Sequence, residues 1–261
     1  MGRLNSKVDS SGTGLGGSRR RLVVDGVDIE ARVDEDLLDR VLVPKLAALA
    51  SRPRGDGRRF VFLAAPPGTG KSTLAALVRD RAKHLDFDAV GIDGFHYRQE
   101  YLDSHYLDSS TERTPLSAIK GAPETFDVDA LSRLLADARE REVTWPVYDR
   151  RLHDVAPDGR RLTARLVLVE GNWLLLDEPG WRDLSTYAAF VIFITADPRL
   201  LRDRLVDRKI RGGLSPTSAA EFYERSDRLN IERVLNCSDL SKVDLTFHLG
   251  ADGTIQQGDP S

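Results

Sequence analysis

The sequence predicts an α/β fold, a doubly wound parallel sheet with helices on both faces, and three observations predict it. Short apolar runs recur at Arg59–Ala65, Ala89–Ile92, Arg165–Glu170, Phe190–Thr195 and Leu245–Leu249. Helical spacing fills segments between them, at Lys71–Leu85, Val128–Arg141, Pro198–Arg211 and Pro216–Leu235. A run of small residues, Ala65-Pro66-Pro67-Gly68-Thr69-Gly70, joins the first strand to a helix that opens on Lys71-Ser72-Thr73. Strands buried on both faces carry no polar alternation, so apolar runs alternating with helices imply a parallel sheet covered on both sides.

Taken in order, residues 1–20 form a Gly/Ser-rich tail that cannot bury enough surface to offset its ordering entropy. Leu22–Val33 alternates around Asp25-Gly26, a dipeptide that accepts positive φ in a type I′ turn, and reads as a hairpin. Asp34–Ala50 has helical spacing, with Pro44 expected to kink it, and Arg52–Arg59 reads as a Pro/Gly/Arg linker. Residues 21–58 therefore form an N-terminal extension, 59–250 the main domain and 251–261 a C-terminal tail. Asp197 and Ser215, each followed by proline, are predicted N-caps of their helices.

Composition narrows the function. The 261 residues are 41% hydrophobic and 30% charged with a net charge of −3, which argues against disorder and against nucleic acid as the main partner. Arginines interleave with acidic residues, as in DRLVDRK, and read as solvated helix surface. Cys237 is the only cysteine, so no disulfide framework or cysteine metal site is expected, and a reducing, cytoplasmic setting suits the chain. No apolar run reaches the length of a membrane span, and the first residues lack the apolar stretch of a signal peptide. The oligomeric state, a homodimer included, is left open.

The chemistry begins at the small-residue loop. Gly68, Thr69, Gly70, Lys71, Ser72 and Thr73 match a phosphate-binding loop in which backbone amides wrap a β-phosphate at a helix N-terminus, Lys71 reaches the β/γ oxygens and the Ser72 hydroxyl holds Mg²⁺. ATP with Mg²⁺ is the ligand this predicts. A lysine in the first helical turn opposes the helix dipole unless an anion sits there, which weighs against an ordinary strand-to-helix turn. The second strand runs into Gly91-Ile92-Asp93-Gly94, placing Asp93 at a strand's carboxyl end, where it can take the proton of an attacking hydroxyl. Glu170 ends another apolar run and is the expected second carboxylate, near Mg²⁺. Arg204, Arg208 and Arg211 share one helix face ahead of Gly212-Gly213, and Arg204 and Arg208 are candidates to clamp the transferring phosphate; the i,i+4 pairs Arg199–Asp203 and Asp207–Arg211 also fit a solvated helix. Two aromatic-rich stretches, Phe95 to Tyr106 and Trp145 to His153, supply substrate candidates. These are His96, Tyr97, Tyr148 and His153, with Arg113, Lys120 and Arg150 to grip anions or hydroxyls.

The segments AAPPGTGKST, GIDGFHY, KGAPETFDVDAL, WPVYDRRLHD, VEGNWLLLDE and ITADPRLLRDRLVDRKI stand in one order from about Phe60 to Leu249. As a set they resemble the uridine kinase, phosphoribulokinase and bacterial pantothenate kinase superfamily, particularly its fructose-transport-system or nucleoside kinase-like branch. The resemblance implies a P-loop kinase fold with a helical lid around Arg204 and Arg208, Asp93 as catalytic carboxylate, Glu170 as the acidic strand-end residue, and Tyr148 and His153 on the acceptor side. The implied partner is a small hydroxylated metabolite such as a sugar, a nucleoside or a pantothenate-like acceptor. The chain departs from the pattern at Ala65, where glycine is usual, and in its N-terminal extension. Two rivals are weighed beside it. A GTPase-like switch would use Asp177–Gly180 and Ser241–Asp244, although neither sits at the end of an apolar strand. A non-catalytic nucleotide-binding regulator has only Ala65 in its favour, against Asp93 and Glu170.

Overall fold

The computed structural model describes residues 18–24, 27–53, 57–108, 113–149 and 151–258. Residues 1–17 of the expected tail, the Asp25-Gly26 turn, the middle of the 52–59 linker, Arg150 and residues 259–261 lie outside the described residues.

The six strands of the central sheet are β1 (Arg59–Ala64), β2 (Phe87–Gly91), β3 (Leu166–Gly171), β4 (Ala188–Ala196), β5 (Leu245–Leu249) and β6 (Ile255–Gln257). They lie in the order β6-β5-β4-β1-β3-β2. All neighbours pair in parallel except β5 and β6. In β1 and β3 every residue is buried, so these central strands carry no polar face. The pleat sorts their side chains. Val61 and Leu63 join a core with Leu38, Leu46, Leu74 and Val78 on one face, and Phe60 and Phe62 join Leu131, Leu135 and Trp173 on the other.

Among the described residues the longer helices are α1 (Val43–Ala50), α2 (Lys71–Arg81), α3 (Val128–Glu140), α4 (Pro198–Arg211), α5 (Pro216–Phe222) and α6 (Arg228–Cys237). The N-capping expectations hold: the Asp197 carboxylate accepts from the Arg199 amide at 2.8 Å and the Ser215 hydroxyl oxygen from the Ser218 amide at 3.1 Å. Two expected helices are interrupted. A π-helical turn at Leu37–Leu42 leads into α1, which receives Pro44 in its first turn where no N–H is needed, and another at Tyr223–Asp227 separates α5 from α6. Among the described residues no helix is long and apolar enough to cross a membrane.

Two boundaries differ from the sequence reading. The 251–261 segment holds β6, which pairs with β5 through Phe247 and Gln257, because Asp252 Oδ1 accepts from the Thr254 amide at 3.0 Å and Gly253 turns with φ +82. The end of the linker is also built in. Arg58 is buried and donates from Nε to Ala164 O at 2.6 Å and from its terminal nitrogens to Arg141 O at 2.7 Å and Leu162 O at 3.0 Å, with Ala138 O as a further acceptor. It thereby closes the carboxyl end of α3 with a cation. Between β2 and β3 the chain makes a short helix at Gln99–Ser104 and three small ribbons, Tyr106–Asp108 with Arg113–Pro115, Val143–Trp145 with Arg160–Leu162, and Tyr148–Asp149 with Asp154–Val155. The second ribbon covers the edge strand β2: Trp145 Nε1 donates to Gly91 O at 2.9 Å, and Arg160 pairs with Asp88 and reaches Ala89 O at 3.3 Å.

Candidate active site

The phosphate loop leaves the buried end of β1 and enters α2. Gly68 and Gly70 take φ of +87 and +92, a left-handed backbone that L side chains rarely adopt, and a Cβ at Gly68 would stand 3.0 Å from Leu205 Cγ. Ala65 needs no such freedom. Its φ is not positive, its methyl is fully buried in the core beside α2, and alanine therefore fits where glycine is usual. Thr69 is fully buried and its hydroxyl donates to Pro66 O at 2.9 Å, so the side chain braces the loop and only its amide can face a phosphate. Lys71, Ser72 and Thr73 form the first turn of α2 and are half-buried.

Parallel register brings the carboxylates to the same edge. Glu170 lies opposite Leu63 of β1 and Gly91 of β2. It is 8% exposed and accepts the Ser72 hydroxyl on Oε1 at 2.8 Å. A Cβ at position 91 would stand 3.0 Å from that oxygen, so glycine there makes room for the carboxylate. Ser72 and Glu170 are a hard-oxygen donor pair that fits Mg²⁺, an ion usually held by one or two carboxylates together with phosphates and water. No group of three or more His, Cys, Asp or Glu gathers as a protein-only cage among the described residues. Asp93 follows Ile92 just past β2 and opens a 3-10 turn ending at Phe95. Asp93 and Glu170 line one cavity of about 120 Å³, with Gly91, Tyr148, Arg79 and Arg160 among its other walls.

From the other side, Arg204 of α4 donates from Nε to Gly68 O at 2.8 Å. It is half-buried, and burial first, then the nearby Arg211 charge, holds its pKa below the ordinary guanidinium value. Arg208 and Arg211, expected on the same face, sit exposed further along the helix. Gly212 caps α4 and Gly213 turns with φ +101.

The substrate candidates scatter. Tyr148 lines the cavity, and Lys120 Nζ stands 5.2 Å above its ring while donating to Gln99 Oε1 at 2.8 Å and His153 O at 2.7 Å. Burial lowers the Lys120 pKa. His153 contributes that carbonyl from an unusual φ of +53, and its residue is exposed. His96 lies against Phe126 with ring centres 3.7 Å apart, and its Nδ1 bonds Asp93 O at 2.8 Å. The carbonyl can only accept, so Nδ1 carries the hydrogen. Burial holds the His96 pKa below its ordinary value. Tyr97 stacks on Tyr101, which stacks on His105, and Arg113 covers the Tyr106 ring at 4.0 Å; neither Tyr97 nor Arg113 lines the cavity. Trp145, from the second aromatic stretch, is a core residue set edge-on to Phe95. Sequence reasoning missed Arg79 and Arg160 as walls of the site. The available signal for Arg79 was its spacing from Ser72, seven residues along one helix and so on one face. The switch-like motif residues lie elsewhere, with Glu178 tied to Arg233 and Ser241 folded onto Asp239.

No family model matches the chain. It is 43% identical over 220 residues to the uncharacterized protein YggC of Escherichia coli, covering 82% of this chain and 89% of that one. It is 31% identical over 185 residues to a Schizosaccharomyces pombe protein named "putative uridine kinase", covering 67% of this chain and 77% of the other. Among solved structures it matches a "putative fructose transport system kinase" from a Silicibacter species with a TM-score of 0.67 at 30% identity, covering 74% of this chain and 92% of that one.

Proposed function

The chain belongs to the uridine kinase, phosphoribulokinase and pantothenate kinase superfamily and is an ATP-dependent small-molecule kinase, and on that premise we propose that it moves the γ-phosphate of ATP to a hydroxyl of a small metabolite with Asp93 as the proton acceptor. The acceptor oxygen attacks the γ-phosphorus, the bond from that phosphorus to the β,γ-bridging oxygen breaks, ADP leaves, and the hydroxyl proton passes to the Asp93 carboxylate. Amides of Gly68–Thr73 and the Lys71 ammonium hold the β- and γ-phosphates in line with that attack. Ser72 and Glu170 would hold Mg²⁺, which when bound offsets charge on the phosphate oxygens. Arg204 supports the Gly68 carbonyl from α4, and the same helix brings Arg208 toward the phosphates when it closes. On the acceptor side Tyr148 offers a ring wall, Lys120 steadies it, and His96 fixes the turn that carries Asp93.

The observation that carries this reading is the 2.8 Å bond from the Ser72 hydroxyl to Glu170, a carboxylate that lines one cavity with Asp93 at the carboxyl ends of adjacent parallel strands. The test is coupled ADP production across hydroxylated metabolites. Release that depends on an added acceptor supports transfer, and ADP release unaffected by any acceptor while nucleotide binds normally would contradict it.

A further inference from the structure

Resting on the kinase reading above, we propose that Arg233 is a positioning residue for acceptor phosphorylation: through Glu124 it holds residues 120–127, the strut to which the Asp93 turn and the Tyr148 wall are tied. Arg233 lies on α6 and is not among the described residues that line the cavity. Its effect on the reaction therefore passes through other groups.

One guanidinium joins three stretches of chain that are far apart in sequence. Its Nε donates to Glu178 Oε1 at 2.8 Å, a terminal nitrogen donates to the second Glu178 oxygen, and the other donates to Glu124 Oε1 at 2.7 Å. Glu178 lies beyond the carboxyl end of β3, and Glu124 sits in the 3-10 turn Pro123–Thr125. The Trp173 ring, fully buried, lies 6.0 Å from the guanidinium carbon, and its Nε1 donates to Gly121 O at 3.0 Å. A planar array of five donors lets one side chain serve both carboxylates, which a lysine ammonium does less well.

Residues 120–127 meet the site twice. At one end Lys120 Nζ stands over the Tyr148 ring and donates to His153 O. At the other, the Tyr97 amide donates to Thr125 O at 2.9 Å and the Asp127 amide to Phe95 O at 2.8 Å, so the turn that Asp93 opens is bonded to the strut on both sides of His96. Between these ends Thr125 is fully buried, and its hydroxyl donates to Ala122 O at 2.6 Å and accepts the Gly121 amide at 3.1 Å. The strut is thus braced internally, and Glu124 is where charge ties it to α6. Loss of that tie would let Asp93 and Tyr148 shift together, and a displacement of about 1 Å at reacting groups can cost on the order of 10²-fold in rate.

The full chain is compared with Glu124→Gln, Arg233→Gln, Arg233→Lys and the Glu124→Gln/Arg233→Gln double variant. Backbone amide exchange is read by mass spectrometry with ADP and Mg²⁺ bound. ATP affinity and acceptor kcat/KM are measured with whichever of glycerate, ribose, uridine and pantothenate the unmodified protein phosphorylates fastest. Glu124→Gln keeps the shape of the side chain and leaves the bonds from Arg233 to Glu178 in place. It should speed exchange in residues 93–97 and 120–127 but not in 66–72, lower acceptor kcat/KM roughly tenfold to hundredfold, and hold the Kd for ATP within about twofold. Arg233→Gln should do the same, Arg233→Lys should restore part of the loss, and the double variant should be no worse than Arg233→Gln, as one shared route requires. The inference is overturned if exchange in 93–97 is unaltered, if exchange rises alike across the chain as a purely structural pin would cause, or if acceptor kcat/KM stays at the unmodified value. If nucleotide binds and no probe is phosphorylated by the unmodified protein, the kinase reading fails, and the exchange pattern alone decides whether Arg233 holds the Asp93 turn.

Discussion

In the proposed site the phosphate end would use backbone amides and residues locked to the ends of central strands, and the acceptor end would use residues that hang on 3-10 turns and two- or three-residue ribbons beyond the edge strand. Gly68, Gly70 and Thr69 are fixed by backbone geometry and by a buried hydroxyl, whereas Tyr148, Lys120 and His153 hold one another through a ring contact and a carbonyl. The difference follows from what each end must recognise. A triphosphate presents the same oxygens every time, so a rigid cradle serves, while the acceptor's shape is set by loops that can vary without disturbing the sheet.

The comparison breaks first at Lys71. Lys71→Ala should bring transfer close to background in a coupled ADP assay, with the melting temperature within about a degree or two, since a surface substitution typically changes stability by less than ~0.5 kcal/mol. A large loss of stability would mean the loop is held by its lysine as well as by its backbone. Arg204→Ala should lower kcat/KM for ATP roughly tenfold to hundredfold, about 1.4–2.8 kcal/mol, by releasing the Gly68 carbonyl. Acceptor KM should stay constant, and a change confined to the acceptor would erase the division between the two ends. Trp145→Phe leaves Gly91 O without its donor and should cost about 1–3 kcal/mol of stability by denaturant titration, with acceptor KM raised and ATP affinity kept.

The smallest expected effect is with pH. Burial holds the His96 imidazole below its ordinary value of 6.5, so in acid the unfolded chain takes up a proton that the folded chain refuses. The associated stability is complete above that value and is lost as pH falls from 6.5 toward the folded pKa. Melting temperatures from pH 7.5 to 5 should therefore fall less steeply in His96→Asn than in the unmodified protein. Parallel curves would assign the acid sensitivity to other groups.

Legibility followed the same division. The positions of Lys71, Ser72, Asp93 and Glu170 at strand ends and at a helix start could be read because those transitions are visible as changes of period. Thr69 was read as part of the amide cradle, and the bracing role of its hydroxyl on Pro66 O was not legible, since no spacing rule tells a bracing hydroxyl from a free one. Arg79 and Arg160 were hidden because a cation on a helix or ribbon looks like solvated surface in the sequence, and only the fold sets it at a cavity wall. Arg58 looked like linker for the same reason, and β6 was too short to show alternation.

The central claim is that the phosphate end binds ATP independently of the group that activates the acceptor, and Asp93→Asn tests it most directly. Nucleotide affinity and acceptor-dependent turnover are measured on the same preparation at saturating acceptor. The account predicts unchanged ATP affinity with turnover reduced about 10²–10⁴-fold, or roughly 3–5 kcal/mol of barrier. Retention of most of the turnover, or loss of ATP binding together with it, would contradict it.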